Sequence, residues 1–126
     1  MAWDNMPLLF ADMLEKELDK VYRGFAITCL RNIVARSPVD SGRYRGSHIL
    51  TISNPSYQVG QFEDKTGGQT LQAGISTLNG VPVGQFHPIF IQTNLPYAIR
   101  IENGWSQQAA QGVYAVSFYN AIQAYQ

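Results

Sequence analysis

The chain has 126 residues, nine basic and nine acidic side chains, and a single cysteine, Cys29. That length suits one domain over residues 1–126, with a folded surface of about 6,700 Å² against about 20,300 Å² unfolded, enough for a core without staples. One cysteine excludes an internal disulfide framework, and balanced charge excludes a global field for nucleic acid or anionic membrane. No apolar run approaches the roughly 20 residues of a membrane helix, and Asp4 stands where a signal peptide would carry Lys or Arg.

The charged fraction is 14 %, where soluble domains usually show about 25 %. Residues 66–126 hold only Arg100 and Glu102 among many Gln, Asn, Ser, Thr and Gly. Two readings stand: a polar, uncharged surface that is simply tolerated, or a surface that faces other subunits, since interface cores are depleted in charge.

In chain order, the spacing of Phe10, Leu14, Leu18, Val21, Phe25, Cys29 and Ile33 predicts one long helix from about Asp4 to Ala35, ended by Ser37-Pro38. Gly24 inside it costs about 1 kcal/mol against alanine and marks a close approach. Residues 37–47 read as a loop with a short helical turn capped by Asp40 or Ser41. His48–Ser53 reads as a first strand and residues 56–68 as an exposed, mobile loop. Thr70–Ser76, His87–Thr93 and Val113–Phe118 read as three more strands, with Asn79-Gly80 as a turn. Pro96–Asn103 fits a short helix or an extended segment, and Tyr119–Tyr125 a short closing helix. The fold class expected is α+β: a long N-terminal helix packed on a mainly antiparallel sheet of about four strands, with a short C-terminal helix. The Leu14, Leu18, Val21 and Phe25 stripe is expected to lie on the sheet.

Motifs for chemistry are scarce. Two histidines and one cysteine have no recognisable zinc spacing, and no phosphate-cradling or nucleophile-elbow pattern occurs. His48 and His87 read as structural, and Cys29 as a buried small hydrophobe. Arg43 and Arg45 flank Tyr44 and could touch phosphate, but without the aromatic platform of a single-strand binder.

Two segments stand out together. In the first, Pro38, Val39, Asp40, Ser41, Gly42, Arg43, Arg45 and Ser47 follow the pattern P-V-D-[ST]-G-R-[LY]-R-x-S directly after the long helix. In the second, Asn94, Pro96, Tyr97, Ala98, Ile101, Glu102 and Gly104 are followed by Ser106, Gln108, Ala109 and Gly112. The pair resembles the tailed-bacteriophage neck and tail-completion family, of the minor tail protein Z type. Ala110 departs from that family's usual proline.

The resemblance implies a non-enzymatic structural subunit without cofactor or metal. Such a subunit assembles with copies of itself in a ring in the virion, after synthesis in the host cytoplasm, and completes the tail or joins tail to head. Its implied partners are neighbouring neck and tail proteins and the DNA passing through the lumen, with no membrane. The motif residues have physical readings of their own. Asp40 offers a cap, Gly42 permits a turn closed to other residues, and Tyr97 suits an interface or a sheet edge. Trp105 is either an anchor in a neighbour or a cover for its own core. Gln108 belongs to the third stretch of the pattern. The one opposite charge near Glu102 is Arg100, which two residues away points in another direction, so Glu102 is either solvated or paired with Arg43 or Arg45, the expected partners. The alternative functions are a small hydrolytic enzyme using His48 or His87, or a nucleic-acid-binding module using Arg43 and Arg45.

Overall fold

The computed structural model describes residues 2–38, 42, 44–56, 64–95, 98–104, 109 and 111–125. The elements run α1 (Ala2–Arg36), a 3-10 turn at Arg45–Ser47, β1 (Ile49–Ile52), α2 (Gly68–Asn79), β2 (Ile89–Gln92), α3 (Ala98–Glu102) and α4 (Tyr114–Ala124). The class is α+β, with the long N-terminal helix, an antiparallel sheet and a short C-terminal helix.

The sheet is smaller than the sequence suggests. Among the described residues it has two strands, not about four, paired with Ile49 opposite Gln92, Leu50 opposite Ile91, Thr51 opposite Phe90 and Ile52 opposite Ile89. Thr70–Ser76 lies within α2, where Thr70, Gly74 and Leu78 are buried. That period of four contradicts the alternation of Leu71, Ala73 and Ile75 on which a strand was expected. Val113–Phe118 likewise caps and opens α4, with Val113, Ser117 and Ala121 buried four apart. Its β-branched and aromatic residues favour a strand by propensity, and packing against α1 overrides that weak preference. Asn79-Gly80 is the end of α2 and not a hairpin turn. Within the Pro96–Asn103 segment, Ala98–Glu102 forms the short helix α3.

The C-terminal half of α1 packs on α2, α4 and the sheet. Ala26, Leu30 and Val34 meet Leu50 of β1 and Leu78 of α2 in one buried cluster, with Ile52, Ile89 and Leu71 against it. Small residues let the helices approach. A Cβ on Gly74 would stand 2.2 Å from Leu30 Cδ2, and one on Gly24 would stand 2.4 Å from the Tyr125 hydroxyl. The close approach expected at Gly24 is therefore with α4.

The N-terminal half of α1 behaves differently. Leu14 is 49 % exposed, Leu18 58 % and Val21 50 %, and Leu9 and Met13 are exposed too. The expected docking of the 14–18–21–25 stripe on the sheet does not occur. Four-residue strands reach about 13 Å, whereas a 35-residue helix runs about 52 Å. Phe25 alone of that stripe is covered, edge-on to Phe118 of α4 and to Tyr125 just after it at 5.7 and 5.8 Å.

Candidate functional site

The two motif segments come together in a second buried cluster. Tyr44 from the first, Leu95, Ile101 and Ala109 from the second, and Val113 pack with Ile33 of α1. Ser47 joins them by hydrogen bonds as well. Its hydroxyl donates to Tyr44 O at 2.6 Å and meets Thr93 Oγ1 at 2.7 Å. Asn94 reaches across to Ser56 O at 2.9 Å.

Glu102 is held, though not by the partner its isolation suggested. Its carboxylate accepts the backbone N–H groups of Val113, Tyr114 and Ala115 at 2.9, 2.8 and 3.0 Å. These are the first amides of α4, which have no acceptor within the helix and carry its positive dipole end. Burial pushes the Glu102 carboxyl up, and the three amides outweigh it, so the group sits below its usual value. Gly112 permits the approach: it takes φ +82, and a Cβ there would lie 2.5 Å from Glu102 O. Arg45 is committed elsewhere. It donates to Lys65 O at 2.8 Å and Ser37 O at 2.9 Å, tying the end of α1 to the approach of α2. The expected Glu102–Arg45 pair is therefore replaced by two separate backbone ties.

Gly42 supplies the turn expected of it, at φ +83. Its carbonyl accepts Gly46 N at 2.9 Å and Asp64 N at 3.0 Å. Asp64 in turn caps α2, accepting Gly67 N at 3.0 Å, Thr70 N at 2.9 Å and the Thr70 hydroxyl at 3.0 Å. Burial raises the Asp64 carboxyl, and its donors from Thr70, Gly67 and Thr66 hold it below the ordinary value nonetheless. The end of the expected exposed loop is thus a buried helix cap, while residues 57–63 lie outside the described residues. Asp40, Arg43, Tyr97, Trp105 and Gln108 also lie outside them, and with Arg43 the second possible partner for Glu102.

His48 is 5 % exposed and stands between Ser37 Oγ, 2.7 Å from Nε2, and the Tyr114 hydroxyl, 2.7 Å from Nδ1. Ser37 gives its one hydroxyl proton to Ile33 O at 2.6 Å. The hydrogen-bond pattern therefore assigns the imidazole proton to Nε2, with Nδ1 accepting from Tyr114. Burial, with Arg45 nearby, drives the His48 pKa down to about 3, and burial pushes the Tyr114 phenol up. A serine and a histidine at this distance suggest a nucleophile and its base. Here the hydroxyl proton points to a carbonyl and Ser37 is 2 % exposed, so the neutral imidazole joins the end of α1 to the start of α4. His87 is exposed, and its carbonyl receives the Tyr22 hydroxyl.

Arg23 and Asp19 are an ion pair that the sequence reading passed over. The guanidinium donates from Nε to Asp19 at 2.7 Å and from its two terminal nitrogens to Leu78 O and Val81 O. Asp19 also accepts Gly84 N at 3.2 Å. The Arg23 hydrogen bond holds the Asp19 carboxyl below its usual value, against burial. The available signal was an Asp and an Arg four residues apart on the flank of the stripe.

No three His, Cys, Asp or Glu side chains cluster to hold a metal among the described residues. No helix there is long and apolar enough to cross a membrane. Among the described residues there is an apolar groove of about 640 Å³. Phe25, Cys29 and Ile33 of α1 form its floor, residues 86–89 and Ile91 one wall, and Tyr114 and Phe118 of α4 the other. At its Val21 end the groove floor continues into the exposed Leu14 and Leu18 stripe. No protein-family model, no curated protein and no solved structure matches the chain.

Proposed function

We propose that this chain is a structural subunit of the tailed-bacteriophage neck, completing the tail or joining it to the head by self-assembly into a ring. The observation that carries this reading is the uncovered apolar stripe on α1, with Leu14, Leu18 and Val21 about half exposed. Contiguous apolar surface of this kind marks a protein-interaction site. The charge-poor stretch over residues 66–126 favours the same conclusion, since interface cores lack charge. The family resemblance of the two motif segments supplies the biological setting. The chain works by binding proteins, without turnover or cofactor, and its place of action is the virion.

Light scattering after size exclusion, over a rising concentration series, tests this reading. Discrete oligomers that appear as rings by electron microscopy are expected. A monomer at every concentration would overturn it, and a DNA gel shift or hydrolysis of a panel of ester and peptide substrates would then favour the alternative functions.

A further inference from the structure

We infer that the exposed stripe of one copy docks in the apolar groove of a second copy. The inference rests on the self-assembly reading above and names the surfaces that meet. Ala11, Leu14 and Leu18 stand at i, i+3 and i+7 on one exposed side of α1. That is the anchor spacing of a helix laid in a hydrophobic groove. The triplet spans about 10 Å at 1.5 Å per residue. Along α1 the groove runs from Val21 to Ile33, about 18 Å on the same rise, so it is long enough for the triplet.

A chain cannot satisfy its own groove. Leu18 and Cys29 lie on one unbroken helix, about 16 Å apart, and the stripe cannot fold back across that distance. The partner chosen is another copy because stripe and groove occur together in every chain and neither opposes the other by charge. The groove walls come from residues 86–89, Ile91 and α4, within the stretch whose only charges are Arg100 and Glu102. The net charge of zero leaves no long-range repulsion between copies. One-way docking leaves a free stripe at one end and a free groove at the other, which closes as a ring or continues as a filament. Reciprocal docking stops at a dimer.

Mixing two disabled variants tests the contact. Leu14→Asp with Leu18→Asp disables the stripe at positions already in water. Phe86→Asp with Phe118→Asp disables the groove lips, where both rings are about half exposed. Each variant alone should lose self-association at least tenfold with a native circular dichroism spectrum, and a 1:1 mixture should restore a two-chain species through the one intact stripe and groove. An oligomer that survives the groove changes, or a mixture that stays monomeric when both variants are monomeric and folded, overturns the docking and leaves the assembly reading standing. A wild-type chain that is monomeric throughout overturns both. A cross-link gives an answer that does not depend on the groove variant folding. In Leu18→Cys, mild oxidation should join the new thiol to native Cys29 of another copy, because a disulfide needs Cα atoms within about 7 Å and the two sites on one helix are about 16 Å apart. The cross-link should vanish when Cys29→Ser is added, and Lys16→Cys, off the stripe, should give none. A cross-link that persists without Cys29 rejects the contact.

Discussion

Glu102 Oε1 receives the backbone N–H of Tyr114 at 2.8 Å, so a carboxylate at the end of α3 starts α4 from 12 positions away in sequence. This tie places the second motif segment in the fold through a backbone contact and not through an ion pair.

Glu102→Ala should cost about 1–2 kcal/mol, the range for losing a helix cap. Glu102→Gln keeps one acceptor oxygen and should cost less. Denaturant melts with amide exchange on residues 113–115 provide the measurement, with faster exchange expected there first. Unchanged exchange in the alanine variant would show that α4 does not depend on this carboxylate.

The pH dependence of stability should have two separate parts. His48 is held at about 3 in the folded protein against an ordinary 6.5. The unfolded chain therefore binds the proton first, and stability present above pH 6.5 is lost as pH falls toward 3. The slope from this group approaches about 1.4 kcal/mol per pH unit once the unfolded histidine is protonated. Asp64 and Glu102, both held below their ordinary 3.8 and 4.5, add a further loss only below those values. Urea melts between pH 7 and 5 isolate the His48 part, and His48→Phe should flatten it. A wild-type curve flat over that interval would contradict the buried neutral imidazole.

Gly74→Ala tests packing against propensity. Alanine inside a helix ordinarily gains about 1 kcal/mol over glycine. Here the added Cβ would meet Leu30 Cδ2 at 2.2 Å, and Leu30 is 1 % exposed with no room to retreat. A net loss of about 1–3 kcal/mol is expected, as for overpacked cores. Thermal melts that move upward would mean that the helices can part at no cost.

Leu30→Ala and Leu18→Ala should separate the two halves of α1. Leu30→Ala should lose about 2–5 kcal/mol. Leu18→Ala should stay within about 0.5 kcal/mol in the monomer. Equal losses would place Leu18 in the core of a single chain.

The long helix and both strands were legible in the sequence because each depends on local signals: the period of Leu14 to Ile33, the stop at Ser37-Pro38, and the apolar runs before Asn54-Pro55 and after His87. The Pro96–Asn103 segment left helix and extended chain open, and the helix over Ala98–Glu102 appears only in the structure. The two misread segments depend on residues outside them. Thr70–Ser76 is helical because Asp64 caps it and Gly74 fits against Leu30, and Val113–Phe118 is helical because Glu102 caps it and Ser117 is buried against α1. Asp64 and Glu102 lie only 6 and 11 positions before the amides they accept, yet a carboxylate acting as a backbone acceptor leaves no periodic pattern, and Leu30 and α1 lie outside any local window. The exposed stripe was legible as apolar residues at helical spacing. That it faces outward depends on strands of four residues, too short to cover the helix. Glu102 was marked by its isolation, yet nothing local announces a backbone acceptor role.

Asn32 of α1 donates to the carbonyl of Ser117, a residue 85 positions later. During synthesis at about 5–20 residues per second, the side of α1 that α4 will cover therefore stays open for several seconds after the helix leaves the ribosome. The helix cannot be sealed as it emerges, so α1 and the sheet have to wait for the chain to deliver its own cover. In that interval Phe25 is as bare as Leu14 and Leu18, and a nascent chain offers its neighbours an apolar helix face from Leu14 to Phe25.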